Sequence, residues 1–277
     1  MRQRPGVHRD AAQAVLRRTG RHALTVAGAT RVALPIICLL VSENRHRHAA
    51  GQVIERHRHD EHQLVYVHRG VLAVRTDHGT WVASADRAVW TPAGTWHEHR
   101  VYGDSEVLTL MFPTDDAPLD GTAPTVIGVS ALLRELLVAT TEPGLGTAEA
   151  ARIHAVLRDR LRRTHGRPLT LPEARDPRLA HACRLVTDDL SRPRTTAWLA
   201  QRTGTSERTL SRLFRVEFGT TYPQWRTTTR VFHAMIHLAE GATVTQTAHR
   251  CGWATPSAFV ETFTRTMGRT PGSYRAR

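Results

Sequence analysis

Lysine is absent from this chain: all 38 basic residues are arginine. A GC-rich gene is sufficient cause, since arginine codons are GC-rich and lysine codons are not. The consequence is still physical. Arginine grips phosphate and guanine edges through a two-pronged hydrogen bond, where lysine offers a point charge. Cysteine is scarce as well. Cys38, Cys183 and Cys251 lie far apart with no Cys-x-x-Cys pair, which argues against a disulfide framework and suits a reducing compartment. Long apolar runs are missing. The longest, "VALPIICLLV" at 32–41, has ten residues and an internal Pro35, too short to span a bilayer. It follows an arginine-rich start, as a signal-peptide core would, but "SENRHRH" after it lacks the small-residue cleavage pattern. A buried strand, or an extension from a misassigned start codon, is the expectation. The sequence also shows no low-complexity tract, no phosphate loop, no paired carboxylates and no nucleophile–base pairing.

What is present is enough for two ordinary domains. The chain has 277 residues, 40% hydrophobic and 23% charged, the profile of a globular protein rather than a disordered one. The formal net charge of +13 is unevenly spread. From Arg178 to Arg277 there are fifteen arginines against six acidic residues. Such an excess on one region suits a polyanionic partner, although a solvated basic surface would look the same.

Residues 1–45 are basic and weakly patterned; 1–20 is expected to be mobile, with a short helix at "DAAQAVLRR" (10–18). From 51 the pattern changes to short β segments at 63–67, 71–76, 80–84, 87–91 and 106–112, broken by Arg69-Gly70, Asp77–Gly79, Asp86, Pro92–Gly94 and Gly103-Asp104. Strands this closely spaced suggest an antiparallel sandwich or barrel. Trp81, Trp90, Trp96 and Tyr66 are expected to fill its core. A Pro- and Gly-rich linker at 113–125 precedes two helices, 130–140 and 147–163. The first carries Leu132, Leu133, Leu136 and Leu137 on one side; the second is expected to be capped by Thr147, with Glu149 in its first turn. These helices would bury against each other or against another subunit. Asp176-Pro177 then opens a run that reads as helix to the end, over about 178–191, 195–203, 206–218, 223–239, 244–251 and 255–267.

Within that run, "TAWLAQRTGTSERTLSRLFRVEFG" has a helix with Leu199-Ala200, a turn at Gly204 and a second helix capped by Ser206. Leu210, Leu213 and Phe214 share one face; Arg208, Ser211, Arg212 and Arg215 share the other. The form recurs about 48 residues later, with Ala248, Gly252, cap Thr255, Pro256, Phe259 and Phe263 in matching places. An amphipathic helix with an arginine-bearing outer face after a tight turn is the form of a DNA recognition helix.

With the "GRTPGSYR" ending, residues 178–277 resemble the DNA-binding domain of the AraC/XylS family of transcription regulators. The resemblance implies two recognition helices entering successive major-groove segments of double-stranded DNA. Ser206, Arg208, Thr209, Ser211, Arg212 and Arg215 would serve the first, and Thr255, Ser257, Glu261 and Arg265 the second. Arginine at 208 and 212 favours guanine. Glu261 stands where a basic residue is often found, so the first unit is expected to dominate affinity and the second to read weakly or through shape.

Upstream, "HRHDEHQLVYVHRG" (57–70) places four histidines in fourteen positions. With 17 histidines in the chain, a single His-x-His pair means little. The longer spacing is more specific: Gly51, His57-x-His59, Gln63 and Gly70, then Asp86, Pro92-x-Gly94 and His97, resembles the two cupin motifs. Strand alternation would turn His57 and His59 to one side, with Gln63 and His97 arriving from other strands. Three imidazoles and an oxygen suit a divalent ion such as Zn, Fe or Ni. The cupin pattern has glutamate where this chain has Gln63, glycine at Asp86 and asparagine at Val101. The glutamine removes a charge, so a polar pocket that hydrogen-bonds a small organic effector is the rival to a metal site, and histidines merely satisfied inside a barrel are a third reading.

The expectation is therefore an α+β chain, a cupin-like β-barrel (double-stranded β-helix) followed by linker helices and an all-α tandem helix-turn-helix domain. Its parts are a basic extension (1–45), a sensor domain (46–115), linker and dimerisation helices (116–175), and a DNA-binding domain (176–277) with units at 195–218 and 244–267. It would be a cytoplasmic, sequence-specific DNA-binding regulator, not an enzyme, working as a homodimer, answering to a small-molecule or metal effector, with RNA polymerase a further candidate partner and no membrane. The alternatives are a metal-dependent cupin oxygenase, for which two helix-turn-helix units have no use, and a low-specificity DNA binder.

Overall fold

The computed structural model describes residues 45–164 and 169–275. The expectations placed on residues 1–44 lie outside the described residues. Eight strands pair, all antiparallel, into one sheet: β1 (Arg45–His48), β2 (Val53–His57), β3 (His62–Thr76), β4 (Gly79–Ala83), β5 (Arg87–Thr91), β6 (His97–Phe112), β7 (Thr125–Gly128) and β8 (Thr170–Pro172). Strands β3 and β6 are the spine. They pair with each other along nearly their whole length, β6 also takes β1 and β2, and β3 also takes β4 and β5.

Two expected breaks are bends rather than ends. Arg69-Gly70 and Gly103-Asp104 both lie inside continuous strands. The register shifts between Val67 and Val71, and Gly70 (φ +88°) and Gly103 (φ +67°) adopt a left-handed backbone that lets the ladder turn a corner. Each long strand thus serves both walls of the sheet. The inner face is largely apolar, with Val65, Val67, Leu72, Val74, Val89 and Val101 among its members.

Outside, the sheet is covered from two directions. Helices α1 (Ala131–Ala139) and α2 (Thr147–Arg162) lay Leu133, Leu137, Leu157 and Leu161 onto Leu64, Tyr66, Trp90 and Leu108. The four leucines of α1 therefore do not act as one stripe: Leu133 and Leu137 are buried, while Leu132 is 47% exposed. The cap of α2 is Gly146 rather than Thr147, and no side chain closes it. Trp81, Trp90 and Tyr66 are core, but Trp96 is 41% exposed. It sits at a turn just before β6, where alternation toward the core has not begun.

The remaining helices are α3 (Pro177–Thr187), α4 (Thr196–Arg202), α5 (Glu207–Phe218), α6 (Tyr222–Ala239), α7 (Val244–Arg250) and α8 (Pro256–Met267), then a 3-10 turn at Pro271–Tyr274. Asp176 caps α3 with Pro177 in its first turn. Thr221 and Gln224 close a reciprocal capping box at the start of α6. Helices α3 to α5 and the start of α6 enclose their own core around Phe214, Leu210, Leu199 and Trp225. The second half differs. Val231, Met235, Phe259, Phe263 and Tyr274 share one cluster with Val71, Ala73 and Val82 on the outside of the barrel. Tyr274 also donates its hydroxyl hydrogen to Asp86 Oδ2 at 2.7 Å. The aspartate that departs from the cupin glycine thus anchors the chain's C-terminal turn.

Helix α6 also carries His233, against the Phe232 ring. Burial, and then the neighbouring His237, depress its pKa to about 4. The folded chain keeps this imidazole neutral, whereas the unfolded chain protonates it near pH 6.5. Its contribution is therefore intact above pH 6.5 and is lost as pH falls toward 4. At pH 5 the loss is about 2 kcal/mol. Urea unfolding at pH 7.5 and pH 5 should show a smaller acid loss in His233→Gln than in the parent; equal losses would contradict this.

Candidate functional site

The first candidate is the outer face of two helices. At α4, Leu199 and Ala200 are buried; the chain turns at Gly204 (φ +64°), and Ser206 caps α5 by accepting from the Thr209 backbone N–H. Leu210, Leu213 and Phe214 point into the core. Arg208, Ser211, Arg212 and Arg215 are exposed on the opposite side. None of these three guanidinium groups forms an ion pair with a described residue. Thr209 is half-buried and its hydroxyl bonds Ser206 Oγ at 2.9 Å, so both belong to the cap as well as to the candidate set.

The second unit repeats the geometry with different chemistry. Gly252 (φ +74°) makes the turn, Thr255 caps α8 through the Ala258 N–H, and Phe259 and Phe263 are fully buried. Thr255, Ser257, Glu261 and Arg265 are exposed. Glu261 is not a bare negative charge: Arg265 lies 3.4 Å from its carboxylate, one helical turn on. Both partners are largely in water, so the pair is weak, yet it engages the single arginine of α8. Arg230 supports the unit from within. Its guanidinium lies 3.8 Å from the Trp253 ring centre, and burial holds its pKa down, to about 10.

The second candidate is the histidine cluster. Strand β2 ends at His57, which pairs in register with His97 at the start of β6, and His59 follows two residues on. One ring nitrogen from each of His57, His59 and His97 lies within 4.8 Å of the others. Two backbone carbonyls set the orientation. His57 Nδ1 is 2.7 Å from Glu55 O, and His97 Nδ1 is 2.9 Å from Thr95 O. Carbonyls only accept, so each Nδ1 carries a hydrogen, and in the neutral ring Nε2 then keeps its lone pair. His97 Nε2 is buried with no hydrogen-bond partner among the described residues. Burial lowers the His59 pKa and takes that of His97 down to about 4, so both are neutral at pH 7. Oriented, neutral imidazoles around an orphaned nitrogen are what a metal ion needs.

Gln63 does join the cluster, but through a partner. Its Nε2 lies 3.1 Å from His59 Nε2, and its Oε1 is buried without a partner. A cavity of about 260 Å3 opens beside the cluster, lined by Arg56, Arg75, Thr76, Trp96, His97 and Glu173. Arg56 and Arg58 lie over the Trp96 ring at 5.5 and 4.9 Å. Two residues stand apart from the sequence reading: Trp96, read as core, and His99, whose pairing with His97 is given no weight there. The second had a signal, since His97-x-His99 on a strand places both on one face.

Comparison with known proteins matches both regions. A helix-turn-helix domain model covers residues 199–277, and a cupin domain model covers residues 44–113. The HTH-type transcriptional regulator NimR of Escherichia coli (strain K12) is 29% identical over 229 residues, which is 80% of this chain and 82% of that protein. Among solved structures, a transcriptional regulator with an AraC-type DNA-binding domain from Chromobacterium violaceum is 27% identical, covering 36% of this chain and 89% of its own, with a TM-score of 0.35. The DNA-binding domain of AdpA, solved with a target DNA, is 34% identical, covering 35% of this chain and 88% of its own, with a TM-score of 0.33. No helix among the described residues is long and apolar enough to cross a membrane.

Proposed function

We propose that this chain, an AraC/XylS-family transcription regulator with a cupin domain ahead of its paired helix-turn-helix units, reads duplex DNA mainly through α5. One observation carries the ranking. Arg208, Arg212 and Arg215 stand exposed on α5 without an ion-pair partner among the described residues, whereas Arg265 of α8 is engaged by Glu261. A guanidinium aimed at guanine O6 and N7 contributes about 1–3 kcal/mol of discrimination. Others on the same face meet phosphate, which sets register without reading sequence. Ser206, Thr209 and Ser211 flank the arginines at the groove-entering end, and Thr255 and Ser257 do the same for α8.

Binding measured by fluorescence anisotropy tests the ranking. Arg212→Ala should weaken binding to the preferred fragment by about 1–3 kcal/mol. Glu261→Ala should leave it unchanged or tighten it, because a phosphate-facing carboxylate is removed. Equal losses from both would overturn the order.

The cupin domain senses an effector, and the histidine cluster is its proposed seat. His57, His59 and His97 would hold a divalent ion such as Zn, Fe or Ni. When bound, the ion supplies a Lewis-acid anchor for an electron-pair donor on an effector. The orphaned His97 Nε2 and the two carbonyl-fixed tautomers favour the ion over a purely polar pocket. Gln63 orients His59. The cavity walled by Trp96 and Arg75 gives an organic effector a place beside the cluster.

Strand β6 leads from His97 through Gly103, whose backbone lies against the Ala239 carbonyl at the end of α6. The Asp86–Tyr274 hydrogen bond makes a second link to the same unit. An effector that favours one arrangement of these strands would shift the population of DNA-competent arrangements. This route bypasses α1 and α2, which pack on the barrel instead.

Leu132 (47% exposed) and Val156 (42% exposed) leave apolar side chains on α1 and α2, and a homodimer is proposed to close there. Leu132→Glu with Val156→Glu should move the sedimentation mass from two chains to one; an unchanged mass would remove that interface. Cys183 and Cys251 are free thiols, which suits the reducing cytoplasm, a location that cell fractionation tests.

A further inference from the structure

We infer that His99, a residue outside the cupin spacing, supplies the fourth nitrogen donor of the histidine centre in place of Gln63. The inference rests on the metal reading given above. His99 lies two residues beyond His97 on β6, and both are buried on the inner face of the sheet. It is 4% exposed, and its Nε2 is buried with no hydrogen-bond partner among the described residues. A buried polar nitrogen left unpaired is costly, so such an atom in a folded chain calls for an occupant.

The ring spacings fit a shared ion. With metal–nitrogen bonds of ~2.0–2.1 Å, two imidazoles on one tetrahedral ion place their ring centres roughly 5 Å apart. The three ligands already assigned lie at 4.9 Å (His57–His59), 4.3 Å (His57–His97) and 5.3 Å (His59–His97). His99 stands 5.1 Å from His97 and 5.6 Å from His57. The set whose nitrogens already lie within 4.8 Å comprises His57, His59 and His97. His99 lies outside that set, so coordination requires its imidazole to turn toward the other three.

Gln63 is the weaker claimant. Its amide is committed to His59, and an amide oxygen is a poor ligand for borderline ions beside imidazole. Its free Oε1 instead suits a hydrogen-bond donor entering the barrel. Four imidazoles without a carboxylate form a neutral donor set, which selects late divalent ions such as Cu, Zn or Ni over Mn or Mg.

The test uses the full chain with Zn2+ or Cu2+ alone. X-ray absorption of the Zn form should count four imidazoles, and the electron paramagnetic resonance spectrum of the Cu form should show four nitrogens. His99→Phe should lose one nitrogen and weaken binding by at least the roughly 10–100-fold that loss of an outer-sphere partner costs. Gln63→Ala should keep the nitrogen count. Should the phenylalanine variant fail to fold, the parent spectra alone decide the count. Three imidazoles in the parent, or an unchanged spectrum in a folded His99→Phe chain, overturns the role of His99 and leaves the three-histidine centre standing. A parent chain that takes up no stoichiometric metal overturns both.

Discussion

Phe214→Ala is expected to remove about 3–5 kcal/mol from the first helix-turn-helix unit and nothing from the barrel. Phe214 is fully buried and its ring meets Phe218, Tyr222 and Trp225. Its cluster runs from Ala174 to Trp225 and includes no barrel strand. The matching truncation, Phe263→Ala, should cost as much but spread further. Phe263 packs in the cluster that also holds Val71, Ala73 and Val82. Hydrogen exchange separates the two. Amides of β3 and β4 should lose protection in Phe263→Ala and keep it in Phe214→Ala. Matching protection maps for the two variants would show that the cores are not divided in this way.

Gly103→Val should detach the barrel from α6. A Cβ there would sit 2.2 Å from the Ala239 carbonyl oxygen and 2.9 Å from its carbon. Either the strand or the helix end must withdraw. The left-handed backbone (φ +67°) adds about 1–3 kcal/mol for a non-glycine residue. Gly51→Val is the control, because Gly51 has φ +81° and open space around its missing Cβ. Both variants bear the backbone strain, and only the first bears the clash. The melting temperature should fall further in Gly103→Val, and any dependence of DNA affinity on added Zn2+ should disappear in that variant alone. Indistinguishable melting and Zn2+ response in the two would mean that the β6–α6 contact couples nothing.

The helical half was the more legible part of the sequence, because its signals are local. Asp176-Pro177, Ser206, Thr255-Pro256 and the glycines at 204 and 252 each announce a cap or a turn within a few residues. Leu210, Phe214, Phe259 and Phe263 repeat at helical spacing. The arginine face of α5 follows from the same period.

The barrel was legible only in part. Strands β4 and β5 read clearly from their Val and Trp content, but β1 ("RHRH") and β2 ("VIERH") are short and mostly exposed. They are strands because they pair with β6, a partner some forty to sixty residues away, and nothing within them says so. The bends at Gly70 and Gly103 read as ends for the same reason: a glycine that turns a corner and a glycine that stops a strand look alike until the pairing is known. The histidine spacing singled out His57, His59 and His97, whose ring nitrogens lie within 4.8 Å of one another. It also obscured His99, which stands where the cupin motif expects nothing. The sharing of one core by β3 and α6 has no sequence signature, since Val71 and Ala73 read as ordinary strand residues.

Helix α5 is proposed to read the DNA sequence. The most direct measurement is anisotropy titration of the full chain with genomic fragments taken from around its own gene, against a scrambled competitor at one fixed salt concentration. At least one fragment should bind roughly 1000-fold or more tighter than the competitor. In an Arg208→Ala, Arg212→Ala double variant that preference should collapse while weak, salt-sensitive binding persists. Equal affinity for every fragment and for scrambled DNA, with and without Zn2+, or a preference that survives the double variant, would contradict it.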